Sequence, residues 1–137
     1  MRSVILTMNL EVKMRKTNFS ISGQLLYCLE EIAEHMNLGR ENALALCINI
    51  TLSKILTAEI SKKSFEYPRV SIPNIDPGSC DAVIEGNLFT FLEYISLYLR
   101  KSPDGALLVC ITEGYANICQ AKNDITPTRV VIFEPVF

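Results

Sequence analysis

Lys16-Thr17-Asn18-Phe19-Ser20-Ile21-Ser22 heads the stretch from Arg15 to Leu56 and decides how the chain is read, because it is a lone short alternation of polar and apolar residues. Side chains on a strand alternate faces, so Phe19 and Ile21 point one way while Lys16, Asn18 and Ser20 point the other. No second strand follows it before Ser64, and its backbone N–H and C=O groups need partners. The economical partner is the same strand from a second copy, antiparallel across a two-fold axis, which predicts a homodimer or a higher oligomer.

Two apolar-striped segments follow. Ser22 is placed as the N-cap of a helix from about Gly23 to Asn37, where Leu25, Leu29, Ile32 and Met36 form one stripe and Glu30, Glu31 and Glu34 are solvated. Asn37-Leu38-Gly39-Arg40 breaks the pattern, and a second helix is expected from about Glu41 to Ile60. That helix is apolar on nearly every side, from Ala43-Leu44-Ala45-Leu46-Cys47-Ile48 through Ile50, Leu52, Ile55 and Leu56, which implies burial from more than one direction.

With 137 residues, 49% of them hydrophobic, the chain can fill a sizeable core. Cys28, Cys47, Cys80, Cys110 and Cys119 are odd in number, lack CxxC spacing and lie in apolar runs; they are expected to be reduced core residues of a cytoplasmic protein. The start, Met1 to Met8, lacks the small-residue cleavage pattern of a signal peptide, and no stretch is expected to supply the roughly 18 apolar residues of a membrane helix, so no membrane association is expected. A net charge of −2 and a pI near 5.4 argue against a basic protein that coats nucleic acid indiscriminately. The charge is uneven: residues 1–63 carry eight Lys/Arg and six Asp/Glu, net +2, and residues 64–137 carry five and nine, net −4.

Pro68, Pro73 and Pro77 with Asp76 and Gly78 mark an extended linker, beyond which the pattern becomes mixed α/β. A strand is expected near Ala82 to Glu85 and a helix from about Leu88 to Arg100. Ser102-Pro103-Asp104-Gly105 reads as a turn, followed by strands at Ala106 to Thr112, Tyr115 to Gln120 and Arg129 to Phe133. The expected organisation is an extension over 1–12, a DNA-binding and dimerisation unit over 13–63, a linker over 64–79, and a small α/β domain over 80–137 for oligomerisation or for binding a small-molecule or protein effector.

A two-stranded antiparallel ribbon fits the major groove of double-stranded DNA, where its outer side chains reach base edges. Lysine donates to guanine O6/N7, asparagine bonds adenine bidentately and serine donates or accepts, so Lys16, Asn18 and Ser20 are candidate base readers. Lys13 and Arg15 would add salt-sensitive phosphate contacts. Thr17 to Ser22, the stripe of the first helix, Asn37-Leu38-Gly39-Arg40 and the apolar second helix together resemble the ribbon-helix-helix repressors, the MetJ and Arc superfamily, over about residues 13–58. The resemblance implies an α+β fold, an intersubunit ribbon that reads bases, and a phosphate held at the start of the second helix by Gly39 and Arg40. Two departures stand out: Gly39 replaces the usual Ser or Thr cap, and Glu41 places an acid beside the phosphate, where it also serves to complement the helix dipole. Val4 to Val12 lie ahead of the usual family start.

Lys16, Asn18 and Ser20 also suit the wet face of a strand with no partner. His35 has no second histidine or nearby cysteine in sequence, so no metal or other cofactor is expected. Gly78-Ser79-Cys80-Asp81 looks like a nucleophile turn but lacks an evident general base, so no enzyme is expected. Glu85, Glu93 and Glu113 read as solvated charges. The function expected is a sequence-specific DNA-binding repressor. Its rivals are a protein-binding module, of the antitoxin or phage-inhibitor type, and a dimerisation scaffold without DNA binding.

Overall fold

A computed structural model of the chain describes residues 16–120 and 130–132. Lys13, Arg15 and the segment Val4 to Val12 lie outside those residues, and Lys16 is placed by its backbone alone. The elements run β1 (Lys16–Ser22), α1 (Gly23–Met36), α2 (Arg40–Ser61), β2 (Arg69–Ser71), β3 (Ser79–Glu85), α3 (Asn87–Leu99), α4 (Pro103–Tyr115), a π-helical turn (Ala116–Gln120) and β4 (Val130–Ile132). The fold is mixed α+β, dominated by helix, with two small antiparallel ribbons.

The first ribbon corrects the central expectation. β1 pairs antiparallel with β3 of its own chain, Phe19 facing Ala82, Ile21 facing Cys80 and Thr17 facing Ile84 on the inner side. The predicted alternation holds: Phe19, Ile21 and Ile84 are almost fully buried, while Asn18 and Ser20 are exposed. The partner strand was hidden by sequence distance. Gly23 and Gly78 both have positive φ, +60° and +107°, a conformation glycine adopts without strain, and the Gly23 N–H donates to the Gly78 carbonyl at 3.0 Å. That bond brings the entry to β3 against the exit from β1. The second ribbon pairs β2 with β4, Val70 facing Val131.

Ser22 stands at the N-cap of α1 as expected, but its side chain makes no capping hydrogen bond. Asn37 ends the helix in the left-handed conformation, and the Leu38 N–H returns to the Ala33 carbonyl at 2.8 Å, the bond that closes a Schellman turn. α2 then starts at Arg40 with Gly39 as an N-cap that has no side chain to offer.

Residues 106–120 are helical, which overturns the expected strands at 106–112 and 115–120. α4 packs against α1, α2 and α3 together, and every residue from Val109 to Tyr115 is buried. A helix enclosed on all sides loses its periodic stripe, and a continuous apolar run then reads as a strand. Its start is clear in retrospect: Ser102 is the N-cap, with its Oγ accepting from the Gly105 N–H at 3.1 Å, and Pro103 occupies the first turn. Gly114 lets α4 approach its neighbours, since an added Cβ would collide with Cys47 Sγ on α2 and come 3.3 Å from Ile32 Cδ1 on α1.

Because α4 lies among the helices of the N-terminal half, one core runs through the chain, from Phe19 and Ile21 through Ile32, Ile48 and Ile55 to Leu92, Val109 and Ile111. The expected division into a unit over 13–63 and a domain over 80–137 therefore does not describe the packing. α2 is long and apolar enough, by length and composition, to cross a membrane, which the sequence reading denied to every stretch. In this fold Ala43, Leu44, Cys47, Ile48, Thr51 and Ile55 form one face of that helix and enter the core, while Leu56 and Ile60 are exposed, so the burial from more than one direction that its apolar pattern implied is not seen.

Candidate functional site

A groove of about 700 Å³ lies between β3 and the N-terminal half of α2. Its β3 wall is made by consecutive residues, Cys80 to Glu85, and its opposite wall by Arg40, Glu41, Asn42 and Ala45. Successive strand side chains point to opposite faces, so a cavity lying over one face meets every second residue. Contact with an unbroken run of residues places this groove along the edge of the strand. β1 holds the other edge of β3, and among the described residues no strand covers this one. The unpaired N–H and C=O groups of β3 therefore border the groove.

The floor is apolar, formed by Leu29, Leu44, Ile48 and Ile84, all nearly inaccessible, with half-buried Leu88 at one end. The rim is charged. Glu41, Asp81 and Glu85 are exposed. Arg40 has its own partner, donating from Nη2 to Glu30 Oε2 at 2.7 Å, a bond that together with nearby Cys80 holds the guanidinium more firmly protonated. The phosphate clamp expected of Gly39 and Arg40 thus has an exposed backbone at Gly39, a cation already engaged by Glu30, and Glu41 beside it.

Of the residues expected to read bases, Asn18 and Ser20 stand on the outer face of the ribbon, next to groups the sequence reading did not place there. Asn18 faces Val83, Ser20 faces Asp81 and, in the backbone ladder, Lys16 faces Glu85. Val83 is 51% exposed. This outer face is therefore part hydroxyl and amide, part carboxylate and part apolar. The expected strand 82–85 contains Val83 and Glu85 but stops short of Asp81, and assigning it to a separate domain kept it from being paired with β1.

No family model matches the chain. No curated protein and no solved structure matches it either.

Among the described residues no group of three or more His, Cys, Asp and Glu side chains is placed to hold a metal ion. Cys28, Cys47, Cys110 and Cys119 are buried and none of the five cysteines forms a disulfide. Burial pushes the Cys28 and Cys110 thiols up to about 12 and raises Cys47 as well, so these thiols are neutral core groups at physiological pH. His35 is exposed near the C-terminus of α1, with its Nδ1 2.9 Å from the Glu31 carbonyl and 3.7 Å from Cys119 Sγ. Glu113 was read as a solvated charge and is 4% exposed. Lys54 Nζ donates to its Oε1 at 3.0 Å and Asn117 Nδ2 to its Oε2 at 2.7 Å, while Lys54 also reaches the Glu66 carbonyl at 2.7 Å and lies 4.9 Å from the centre of the Phe65 ring. That network ties α4 to α2 and to the segment after α2, and all its polar atoms are satisfied, as a buried charge requires.

Proposed function

We propose that this chain is a protein-binding module that takes an extended segment of a partner along the free edge of β3. The groove beside Cys80 to Glu85 carries the reading: an unpaired strand edge over an apolar floor offers main-chain hydrogen bonds for affinity and a surface for alternate side chains. Its volume is also that of a ligand site, within the roughly 300–1,000 Å³ usual for such clefts. Selection from a random peptide library displayed on phage, followed by hydrogen exchange on the complex, tests it. Selected peptides are expected to protect amides within Ser79–Glu85; protection confined to other elements, or no enrichment, refutes it.

A second reading keeps double-stranded DNA as the ligand, on one observation: β1 and β3 form an antiparallel ribbon with Asn18 and Ser20 exposed on its outer face. In the form expected from the ribbon-helix-helix resemblance, β1 leaves β3 and pairs with β1 of a second copy, giving up a seven-residue ladder. In the cis form, Asp81 and Glu85 sit among the readers and repel phosphate. Selection of DNA from a random pool separates the readings. A palindromic consensus whose binding is lost in Asn18→Ala/Ser20→Ala favours DNA, and an unenriched pool favours the protein-binding module.

A further inference from the structure

We infer that the partner segment is basic as well as extended: a strand in which apolar residues alternate with lysine or arginine. This rests on the protein-binding reading and adds to it the chemistry of the ligand. The rim of the groove carries Glu41 at the start of α2 and Asp81 and Glu85 on β3, all exposed. Among the described residues that line it the one cation, Arg40, is already bonded to Glu30 at 2.7 Å. Glu41 and Asp81 stand on opposite walls, and neither has an ion pair among the described residues.

An extended segment laid beside β3 turns every second side chain toward the apolar floor of Leu44, Ile48 and Ile84 and the others outward to the rim. Apolar residues suit the first set and cations the second. The same carboxylates set this edge against the most abundant competitor, a second copy of β3. Pairing β3 with itself across a two-fold axis doubles the carboxylates along one short ribbon, and like charges facing each other across strands are destabilising. Strand edges are commonly guarded by charge. Here the guard is acidic, and β3, Ser-Cys-Asp-Ala-Val-Ile-Glu, has neither lysine nor proline to turn a partner strand away. The edge thus rejects its own kind and admits a basic strand.

The test uses the full chain and a matched set of short peptides, each with valine at every second position and with lysine, serine or glutamate between. Binding is measured by fluorescence anisotropy and the site by hydrogen exchange. The lysine peptide is expected to bind about tenfold tighter than the serine peptide at low salt, the glutamate peptide weaker still, with most of the difference lost at high salt. Glu41→Gln/Asp81→Asn should erase the lysine preference while leaving the serine peptide unchanged; both positions are exposed, so the fold is unaffected, as circular dichroism would verify. If all the peptides bind alike and protect Ser79–Glu85, the preference for a basic partner is overturned while the strand-binding reading stands. A lysine preference that survives the double substitution overturns the assignment to this rim. If no peptide protects Ser79–Glu85, the strand-binding reading itself fails.

Discussion

Replacing Gly114 with alanine should destabilise the protein, although helix propensity alone predicts the reverse. Gly114 lies inside α4, where exchanging glycine for alanine gains up to about 1 kcal/mol through the smaller entropy lost on folding. Against that gain, the added methyl would collide with Cys47 Sγ and crowd Ile32 Cδ1 at 3.3 Å. Cys47 is fully buried on α2 and has nowhere to retreat, and overpacking of this kind costs roughly 1–3 kcal/mol. The net expectation is a loss of about 1–2 kcal/mol in unfolding free energy, read as a lower urea midpoint at unchanged slope. Cys47→Ala removes the sulfur that the methyl meets, so Gly114→Ala should be tolerated in that background, and the pair should couple by at least ~1 kcal/mol in a double-mutant cycle. A Gly114→Ala variant more stable than the parent, or additive with Cys47→Ala, would show that α4 does not lie on α2, and the single shared core would be wrong.

Other outcomes follow from the same packing. Lys54→Met should cost about 1–3 kcal/mol in urea denaturation, because it leaves the buried Glu113 carboxylate with Asn117 alone, and adding Glu113→Gln should recover most of the loss; solvent at the 36% exposed Lys54 side chain screens the pair and limits the cost. With an aromatic disulfide reagent, Cys80 should react first in the native protein, and the four buried cysteines should become reactive only on unfolding, as mass spectrometry of the labelled peptides would show. Stability should fall in alkali. The buried thiols contribute stability that is complete below the unfolded thiol value of 9.0 and is lost as pH rises toward the folded values of about 12 for Cys28 and Cys110. Across that window the unfolding free energy should drop by ~1.4 kcal/mol per pH unit for each such thiol, with the burial-raised phenol of Tyr115 acting in the same direction. Cys28→Ala and Cys110→Ala should flatten the profile; an unchanged slope would contradict the burial of those thiols.

The local elements of the N-terminal half were legible because each carries its own periodic signal. The alternation of Phe19 and Ile21 marks β1, the stripe through Leu29 and Ile32 marks α1, and Asn37 marks the break before α2. α3 and the short β4 were also found from local pattern. What was not legible was everything fixed by distant contact. β1 was correctly seen to need a partner, but the strand that meets the need, Ser79–Glu85, lies beyond the proline-rich segment, and no local rule ties the two together. α4 was missed because a helix packed on three others reads as an unbroken apolar run, and its N-cap Ser102 with Pro103 imitates a turn. Glu113 looked solvated for the same reason, since the cation that admits it to the core, Lys54, comes from another helix. The groove is made by the placement of β3 beside α2, so its acidic rim of Glu41 and Asp81 is invisible until those elements are brought together.

The pairing of β1 with β3 inside one chain is the claim on which the groove and its open edge depend, and a cross-link tests it most directly. Asn18 and Val83 face each other on the exposed side of the ribbon. In a Cys80→Ser background, Asn18→Cys/Val83→Cys oxidised in dilute solution should give a chain of monomer mass with a disulfide joining the peptides that contain positions 18 and 83. Asn18→Cys alone should remain unlinked. A covalent dimer joined through position 18 of each copy would instead place β1 against its own symmetry mate and contradict the account.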